Sequence, residues 1–285
     1  MTVPSFHRFA VADWSGAKGS AHPGIALAVC EVGDAAPQLV PPPGRYWSRM
    51  AIFDWVVLQG PGLLIGFDFS FAPPFVARGA YLPGDITPDN ACEFRAFVDQ
   101  RCDDADLGAA SFLEVHHRRH FYFGAADGTK SDYMHLRACE AHYNAGGGGK
   151  PSSIYDVIGA AQVAKASFAG MRLLHRFGDR AAIWPHDPPD SARPTIVEIY
   201  TRIAARAAGL PKNRTKIRDG AELDAALAQV ASRTHVPLAR YSDHATDAIL
   251  TAAWLRANAK TGALWTPPAM TLQIAATEGW TFGVV

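Results

Sequence analysis

Two apolar segments that each end on an aspartate constrain the fold of this chain more than any other feature. Residues 6–12 predict a strand that runs into Asp13-Trp14-Ser15-Gly16, and residues 63–67 are a continuous apolar run that stops at Asp68. Such a run is typical of a strand buried on both faces of a parallel sheet, because helices cover both sides of that sheet. The pattern therefore predicts an α/β fold whose buried strands end at carboxylates.

Further strands and helices are predicted around these two segments. Residues 24–32 follow a Gly/Pro turn, which indicates an antiparallel hairpin with the first strand, and Tyr46-Trp47 is a candidate third strand. A helix is predicted from an N-cap at Ser48 to about residue 59. The β-branched residues at 195–200 predict a later strand. After it we expect three helices and a closing strand pair, at 201–208, 220–232, 243–257 and 270–285.

Between these segments, residues 72–193 follow no regular pattern. Proline, glycine and aromatic residues alternate with short helical stretches, and a longer helix is predicted at 152–177. A loop of this length without structure of its own is uncommon. We therefore expect one domain over residues 1–285, with its core at about 6–71 and 194–285. The insertion at about 72–193 is expected to be mostly helical and to cover the site.

The charge balance counts against one class of function. The chain has 27 basic and 27 acidic residues among 285, so its net charge is zero. A protein that coats nucleic acid through bulk electrostatics is usually basic overall. An enzyme needs only a local basic rim, so a nuclease stays compatible with this composition.

The sequence predicts a cytoplasmic protein without a membrane span. No window approaches the roughly 18 uninterrupted apolar residues that a span requires, and the first residues lack the pattern of a secretory signal. The four cysteines form no C-x-x-C pair, so we expect reduced thiols rather than disulfides or a zinc site. They are Cys30, Cys92, Cys102 and Cys139.

Acidic residues stand where the hydrophobic pattern disfavours them. Asp13 and Asp68 close two buried strands, Glu198 interrupts the strand at 195–200, and Asp247 lies in an alanine-rich helix one turn after Asp243. A buried unpaired carboxylate costs several kcal/mol, and clustered like charges need a cation. The strand ends of an α/β sheet are where sites form. These acids therefore predict a divalent metal site, and oxygen ligands favour Mg²⁺ or Mn²⁺ over zinc.

Each acid taken singly also has a structural interpretation. Asp13 and Asp68 can cap the turns that follow them, and Glu198 can pair with Arg202 or a neighbouring helix. Asp247 on an apolar helix face is the hardest to explain in this way. Metal binding accounts for all of the acids together.

Five short segments containing these acids or the end of the chain carry a family resemblance. They are Ala12-Asp13-Trp14-Ser15-Gly16, Ile65-Gly66-Phe67-Asp68, Val197-Glu198-Ile199-Tyr200, Thr246-Asp247-Ala248-Ile249-Leu250 and Glu278-Gly279-Trp280. In this order they resemble the domain-of-unknown-function 429 family, a group of predicted nucleases of the ribonuclease-H-like superfamily, akin to Holliday-junction resolvases. The resemblance covers about residues 6–70 and 195–285 and leaves the insertion unmatched.

The resemblance implies a ribonuclease-H-like α/β fold with a mixed sheet flanked by helices. The first three strands are expected to be antiparallel and the later ones parallel. It also implies Asp13, Asp68 and Asp247 as metal ligands. Resolvases carry two acids three positions apart on the late helix, whereas Asp243 and Asp247 are four apart, so Asp243 departs from that pattern.

Basic residues and histidines supply further candidates. Lys212, Arg214, Lys216 and Arg218 alternate in a Pro/Gly-bounded stretch that can contact phosphates or form a solvated loop. The run His116-His117-Arg118-Arg119-His120 precedes aromatic residues and can stack single-stranded bases, or can be a histidine-rich loop under the insertion. His244, beside the acidic helix, is a candidate proton shuttle or a surface residue. The candidate substrate-binding residues are Lys18, Lys212, Arg214 and Lys216.

Together these features predict a metal-dependent hydrolase of phosphodiester bonds that acts on nucleic acid with an activated water as nucleophile. The predicted catalytic acids are Asp13, Asp68, Glu198 and Asp247, and Asp243 is a further candidate metal ligand. Two alternatives stay open. The segment from Asp13 to Lys18 resembles the first phosphate loop of actin/hexokinase-type phosphotransferases, although those proteins contain the fold twice. A catalytically silent binding or scaffold protein of the same fold is the second alternative.

Overall fold

A six-stranded mixed sheet lies at the centre of the computed structural model, which describes residues 5–158, 163–212 and 216–285. The strand order is β3-β2-β1-β4-β6-β5. β1 pairs antiparallel with β2, and β2 with β3, while β1, β4, β6 and β5 run parallel. The predicted order of antiparallel and then parallel strands is confirmed. The strands are β1 Arg8–Asp13, β2 Ala26–Glu31, β3 Gln38–Leu39, β4 Leu63–Phe67, β5 Ala182–Ile183 and β6 Thr195–Glu198.

Helices cover both faces of this sheet. On one face α7 packs against β1 and β2, with α5 and α6 beside it; on the other face α1 and α4 pack together. The pleat of β1 explains this, because Phe9 and Val11 enter one core while Ala10 and Ala12 enter the other. The helices are α1 Arg49–Gln59, α2 Ala91–Asp99, α3 Ala138–Ala145, α4 Ala164–Phe177, α5 Thr201–Ala207, α6 Gly220–Gln229, α7 Asp243–Asn258, α8 Gly262–Trp265 and α9 Leu272–Thr277.

The range 72–193 builds a third core and also contributes to the central sheet. α2 packs on α4, and aromatic side chains such as Phe94, Phe112 and Phe168 fill the space between the elements. β5 extends the sheet beyond β6, although it lies within the range predicted as an insertion. The range also contains a π-helix and five 3-10 helices among its described residues: Phe112–His116, and Ala105–Leu107, Arg118–His120, Ala125–Asp127, Lys130–Tyr133 and Gly178–Arg180.

Three local predictions are wrong for identifiable reasons. The third strand is Gln38–Leu39, because Trp47 instead forms an isolated bridge to His22 outside the sheet. The helix predicted at 152–177 begins only at Ala164: the Tyr155 hydroxyl donates to the Tyr81 carbonyl at 2.7 Å within a non-helical segment. Residues 159–162 of that prediction lie outside the described residues.

The third error concerns the tail, which was expected to form a strand pair. Thr271 caps α9 by accepting a hydrogen bond from the Ile274 backbone N–H at 3.2 Å, so the chain turns helical there. After Gly279, which has a φ of 70°, the chain makes a single bridge from Thr281 to Glu198. The tail therefore crosses the end of β6 without forming a hairpin.

Among the described residues, no helix combines the length and the apolar character that crossing a bilayer requires.

A close approach between α4 and the segment after β4 gives a stability prediction. A Cβ added to Gly170 would lie 2.3 Å from the Phe69 ring, which itself packs against Trp14. We expect Gly170→Ala to lower the free energy of unfolding by about 1–3 kcal/mol through overpacking, although alanine favours a helix by about 1 kcal/mol. The measurement is urea unfolding. In the control Gly262→Ala, the added Cβ meets nothing within 4 Å, so stability should not fall; equal stability of both variants would contradict the packing argument.

Candidate functional site

Three strands end at acidic residues along one edge of the sheet. Ala12 of β1 pairs with Phe67 of β4, and Phe67 pairs with Glu198 of β6. Asp13 therefore lies beside Asp68, whose backbone N–H donates to the Ala12 carbonyl oxygen at 3.2 Å. Because parallel strands end at the same edge, this register brings together acids that are distant in sequence.

Helix α7 brings a further acid to this edge. The helix packs on β1 and β2, with Ala248 and Ile249 in the shared core. Asp247 is partly buried at the beginning of this helix, close enough for its charge to act on Asp68. The structure thus places Asp13, Asp68 and Asp247 at the same edge of the sheet, and metal binding by them stays a prediction.

The electrostatics of Asp68 reflect this crowding. Burial raises the pKa of Asp68 well above its usual value, and the charges of Asp13 and Asp247 raise it further. A hydrogen bond from the Thr201 hydroxyl, at 3.4 Å from Oδ2, acts in the opposite direction. Placing a full charge on Asp68 is therefore unfavourable unless a cation offsets it.

Asp247 has the same character. Burial is the main cause that raises the pKa of Asp247 to about 6, and the charges of Asp13 and Asp243 add to it. Lys216 opposes the shift, since its Nζ lies 3.4 Å from Asp247 Oδ2 and 3.2 Å from Asp243 Oδ2. Its counter-charge is thus shared between two acids and leaves the pKa of Asp247 raised.

Asp243 and Asp13 each have a basic neighbour. Arg218 donates to Asp243 Oδ1 at 2.5 Å. His244 Nδ1 lies 3.3 Å from Asp13 Oδ1, and this hydrogen bond is the largest cause that raises the pKa of His244, with burial opposing it. The His244 side chain is 45% exposed, so it can exchange protons with solvent next to the acids.

A compact group of metal-ligand side chains lies elsewhere in the described chain. Among the described residues, the group of three His, Cys, Asp or Glu side chains whose ligand atoms all lie within 4.8 Å of one another is Asp85, His117 and His120. Those three residues could hold a metal ion. Asp13, Asp68 and Asp247 interact electrostatically but do not form a group of this compactness.

Glu198 is buried in an ion pair with Arg137. Arg137 donates to both carboxylate oxygens, at 2.7 Å from Oε2 and 2.5 Å from Oε1. The Phe71 backbone N–H also donates to Oε2 at 2.8 Å, and the Thr281 hydroxyl donates to Oε1 at 2.6 Å. The sequence suggested Arg202 or a neighbouring helix as the partner; it is Arg137 at the N-terminus of α3, 61 positions away in chain order, which no local pattern marks.

The four candidate substrate-binding residues differ in their surroundings. Lys18 Nζ pairs with Glu114 at 2.8 Å. Lys212 is exposed, and its Nζ would lie 3.8 Å from a Cβ added to Gly147. Arg214 lies outside the described residues. Lys216 is the described member of this set that contacts acids of α7, namely Asp243 and Asp247.

A cavity of about 160 Å³ opens beside Asp68. It lies between the strand ends of the sheet and the helices of the range 72–193, so a ligand there would meet both parts of the fold. No sequence pattern predicted it, because its walls come from separate segments. Its lining includes Asp68, Ser70, Glu140, Tyr143, Ala166 and Tyr200.

Comparisons with known proteins add no further assignment. A scan against protein-family models, a search of curated proteins and a search of solved structures each found no match. The resemblance to the domain-of-unknown-function 429 family and the ribonuclease-H-like assignment therefore stay predictions from the sequence.

The Glu198–Arg137 pair should be important for stability. We expect Glu198→Gln to lower the free energy of unfolding by about 3 kcal/mol, because it leaves the buried Arg137 guanidinium with only one of its two carboxylate partners, Glu140. Guanidinium chloride unfolding in EDTA measures this effect. Lys18→Gln removes an exposed pair and should leave stability unchanged. A Glu198→Gln variant as stable as the wild type would show that the pair is dispensable.

The charge of Asp247 should destabilise the fold, whereas the charge of Glu198 should stabilise it. The Asp247 pKa of about 6 in the folded chain exceeds the unfolded value of 3.8, so its charge destabilises the fold above pH 6 and ceases to do so as the pH falls towards 3.8. We expect Asp247→Asn to be more stable than the wild type in EDTA at pH 7.5, by at most about 3 kcal/mol. This gain should disappear near pH 4.

Urea unfolding across this pH range measures the difference. Asp243→Asn is the matched control, because it removes pairs with Lys216 and Arg218 that contribute about 0–1 kcal/mol. It should not stabilise the protein. A difference between Asp247→Asn and the wild type that does not change with pH would rule out this electrostatic origin.

Proposed function

We propose that this protein is a metal-dependent phosphodiester hydrolase that acts on nucleic acid. Asp13, Asp68 and Asp247 would hold Mg²⁺ or Mn²⁺ at the edge of the sheet. The observation that carries the proposal is the position of these acids where β1 and β4 end and α7 begins, which lets the charges of Asp13 and Asp247 add to burial in raising the pKa of Asp68.

The side chains present fit a hard divalent cation. All three candidate ligands are carboxylates, and oxygen-only donor sets favour Mg²⁺ and Mn²⁺ over softer metals. Lys216 divides its contacts between Asp243 and Asp247, and the nearby His244 contacts Asp13 with a single nitrogen. A cation would therefore be stabilised by charges that otherwise repel one another.

The bound ions would supply an activated water and stabilise the leaving oxygen of a phosphate displacement. Two side chains near the acids would have separate roles in this reaction. His244 can accept or release a proton beside Asp13 Oδ1 and exchange it with solvent. Lys216, once the acids are neutralised, is available to pair with a phosphate.

Glu198 and Asp243 support this arrangement without being required as ligands. The oxygens of Glu198 are engaged by Arg137, Phe71 and Thr281, so we assign it to holding the end of β6 in position. Asp243 is paired with Arg218 and orients Lys216. The phosphotransferase alternative gains no support from the fold, since the described residues contain a single central sheet rather than two copies.

Cleavage assays test the proposal directly. Labelled single-stranded, duplex and four-way-junction DNA, RNA and a small chromogenic phosphodiester are incubated with the wild type in Mn²⁺, Mg²⁺ or EDTA. We expect metal-dependent cutting of a nucleic acid that falls at least about a hundredfold in Asp13→Asn and in Asp247→Asn, because each loses charge that stabilises the transition state through the metal. Asp54→Asn, an exposed acid on α1, is the matched control and should keep full activity.

The outcomes separate the alternatives. Cutting that survives in EDTA or in both variants would overturn the assigned ligands. Turnover of the small diester alone would keep the hydrolase and reject nucleic acid as substrate. Nucleotide binding by a protein that cuts nothing would support the phosphotransferase.

A further inference from the structure

A second group of side chains of the types that bind metals is separate from Asp13, Asp68 and Asp247. Asp85 Oδ2 is 2.9 Å from His117 Nδ1 and 2.8 Å from His120 Nε2. Both rings therefore direct a nitrogen at the same carboxylate oxygen. The side chains are largely shielded from solvent, with 20%, 11% and 7% exposure for Asp85, His117 and His120 respectively.

Local structure holds these groups in place. His117 ends the π-helix Phe112–His116 and precedes the 3-10 helix Arg118–His120, so the two histidines lie three positions apart on a tight turn. The His117 ring packs against the rings of Phe97 and Phe112, with centroids 5.5 Å and 4.4 Å away. Its orientation is thus fixed by the core of the range 72–193.

Arg119 contacts the other oxygen of the same carboxylate. It donates to Asp85 Oδ1, to the Gly84 carbonyl oxygen at 3.2 Å and, through Nε, to His120 Nε2 at 3.2 Å; a metal bound to that nitrogen would replace this last hydrogen bond. This leaves Oδ2 directed between the two histidine rings. Hydrogen bonding to the far oxygen of a ligating carboxylate is a common feature of metal sites, where it orients the ligand.

We propose that Asp85, His117 and His120 form a Zn²⁺ site that is separate from the acidic site of the sheet. Two imidazole nitrogens and one carboxylate oxygen match the donors that zinc prefers, whereas Mg²⁺ prefers oxygen alone. The three ligand atoms converge within 4.8 Å of one another, so a small cation can bind them with little rearrangement.

Burial is the main cause that lowers the pKa of both His117 and His120, although hydrogen bonds to Asp85 oppose it. Neutral imidazole is the form that binds a metal. Three protein ligands leave the fourth zinc position for water.

The position in the fold indicates a stabilising role for the ion. Asp85 belongs to the irregular segment before α2, and the histidines belong to the short helices between α2 and α3. A zinc ion would connect these two segments, which precede and follow α2 in the chain. The Phe97 side chain of α2 is buried. The site does not depend on the proposed hydrolase activity.

The test uses the full chain after metal removal by chelation. Titration with Co²⁺, a spectroscopic substitute for Zn²⁺, should produce a visible d–d absorption band that saturates at equimolar metal and is displaced by Zn²⁺ but not by Mg²⁺. His120→Gln and Asp85→Asn should weaken Co²⁺ affinity by at least about tenfold. His116→Gln, an exposed neighbour in the same run, and Asp247→Asn should bind as the wild type does.

Two measurements protect the test against variants that fail to fold. Zn²⁺ should raise the Tm of the wild type and of His116→Gln but not of His120→Gln. Zinc K-edge X-ray absorption of the wild type, which needs no variant, should give two imidazoles per metal. An all-oxygen shell, an absent Co²⁺ band, or a band that is lost in Asp247→Asn would overturn the site and leave Asp85 as the centre of an ion-pair network.

Discussion

The buried pair of Glu198 and Arg137 joins the end of β6 to three other segments of the molecule. Glu198 ends β6, and its two oxygens receive hydrogen bonds from Arg137 at the beginning of α3, from Phe71 after β4 and from Thr281 in the tail. Arg137 also binds Glu140 through Nε at 2.9 Å. A charged pair shielded from water is tolerated only when its remaining hydrogen-bonding capacity is satisfied, and here Phe71, Thr281 and Glu140 satisfy it. Glu198, Arg137 and Thr281 also line the cavity beside Asp68, so the same contacts shape its wall.

The same edge therefore contains buried acids in two different electrostatic states. Glu198 is neutralised by the protein itself and contributes to the fold. Asp13, Asp68 and Asp247 are only partly compensated, so two of them have raised pKa values and the group lowers the stability of the metal-free fold. Proteins retain such unfavourable groups mainly where function requires them. This contrast between neighbouring acids is the physical basis for assigning one to structure and the others to chemistry.

The sequence could predict features that depend on neighbouring residues in the chain, but not features that depend on contacts between distant segments. The ends of β1 and β4 at Asp13 and Asp68 were predictable, because an apolar run followed by an acid is a local pattern. Strand β3 was missed because two residues leave no periodicity, and the tail was misassigned because the cap at Thr271 outweighs its strand-like alternation. The partner of Glu198 and the convergence of Asp85 with His117 and His120 were not predictable, since they depend on tertiary contacts between distant segments.

The hydrogen bond from Thr281 to Glu198 also concerns the order in which the molecule is completed. These residues are 83 positions apart, and the tail segment that carries Thr281 crosses the end of β6 after every strand of the sheet has been synthesised. On a ribosome the sheet can therefore form while one oxygen of its buried glutamate still lacks a donor. The hydrogen bonding of Glu198 is complete only after the segment that carries Thr281 has emerged, so the nascent chain passes through a stage in which the strands are present and this buried carboxylate is not yet fully paired.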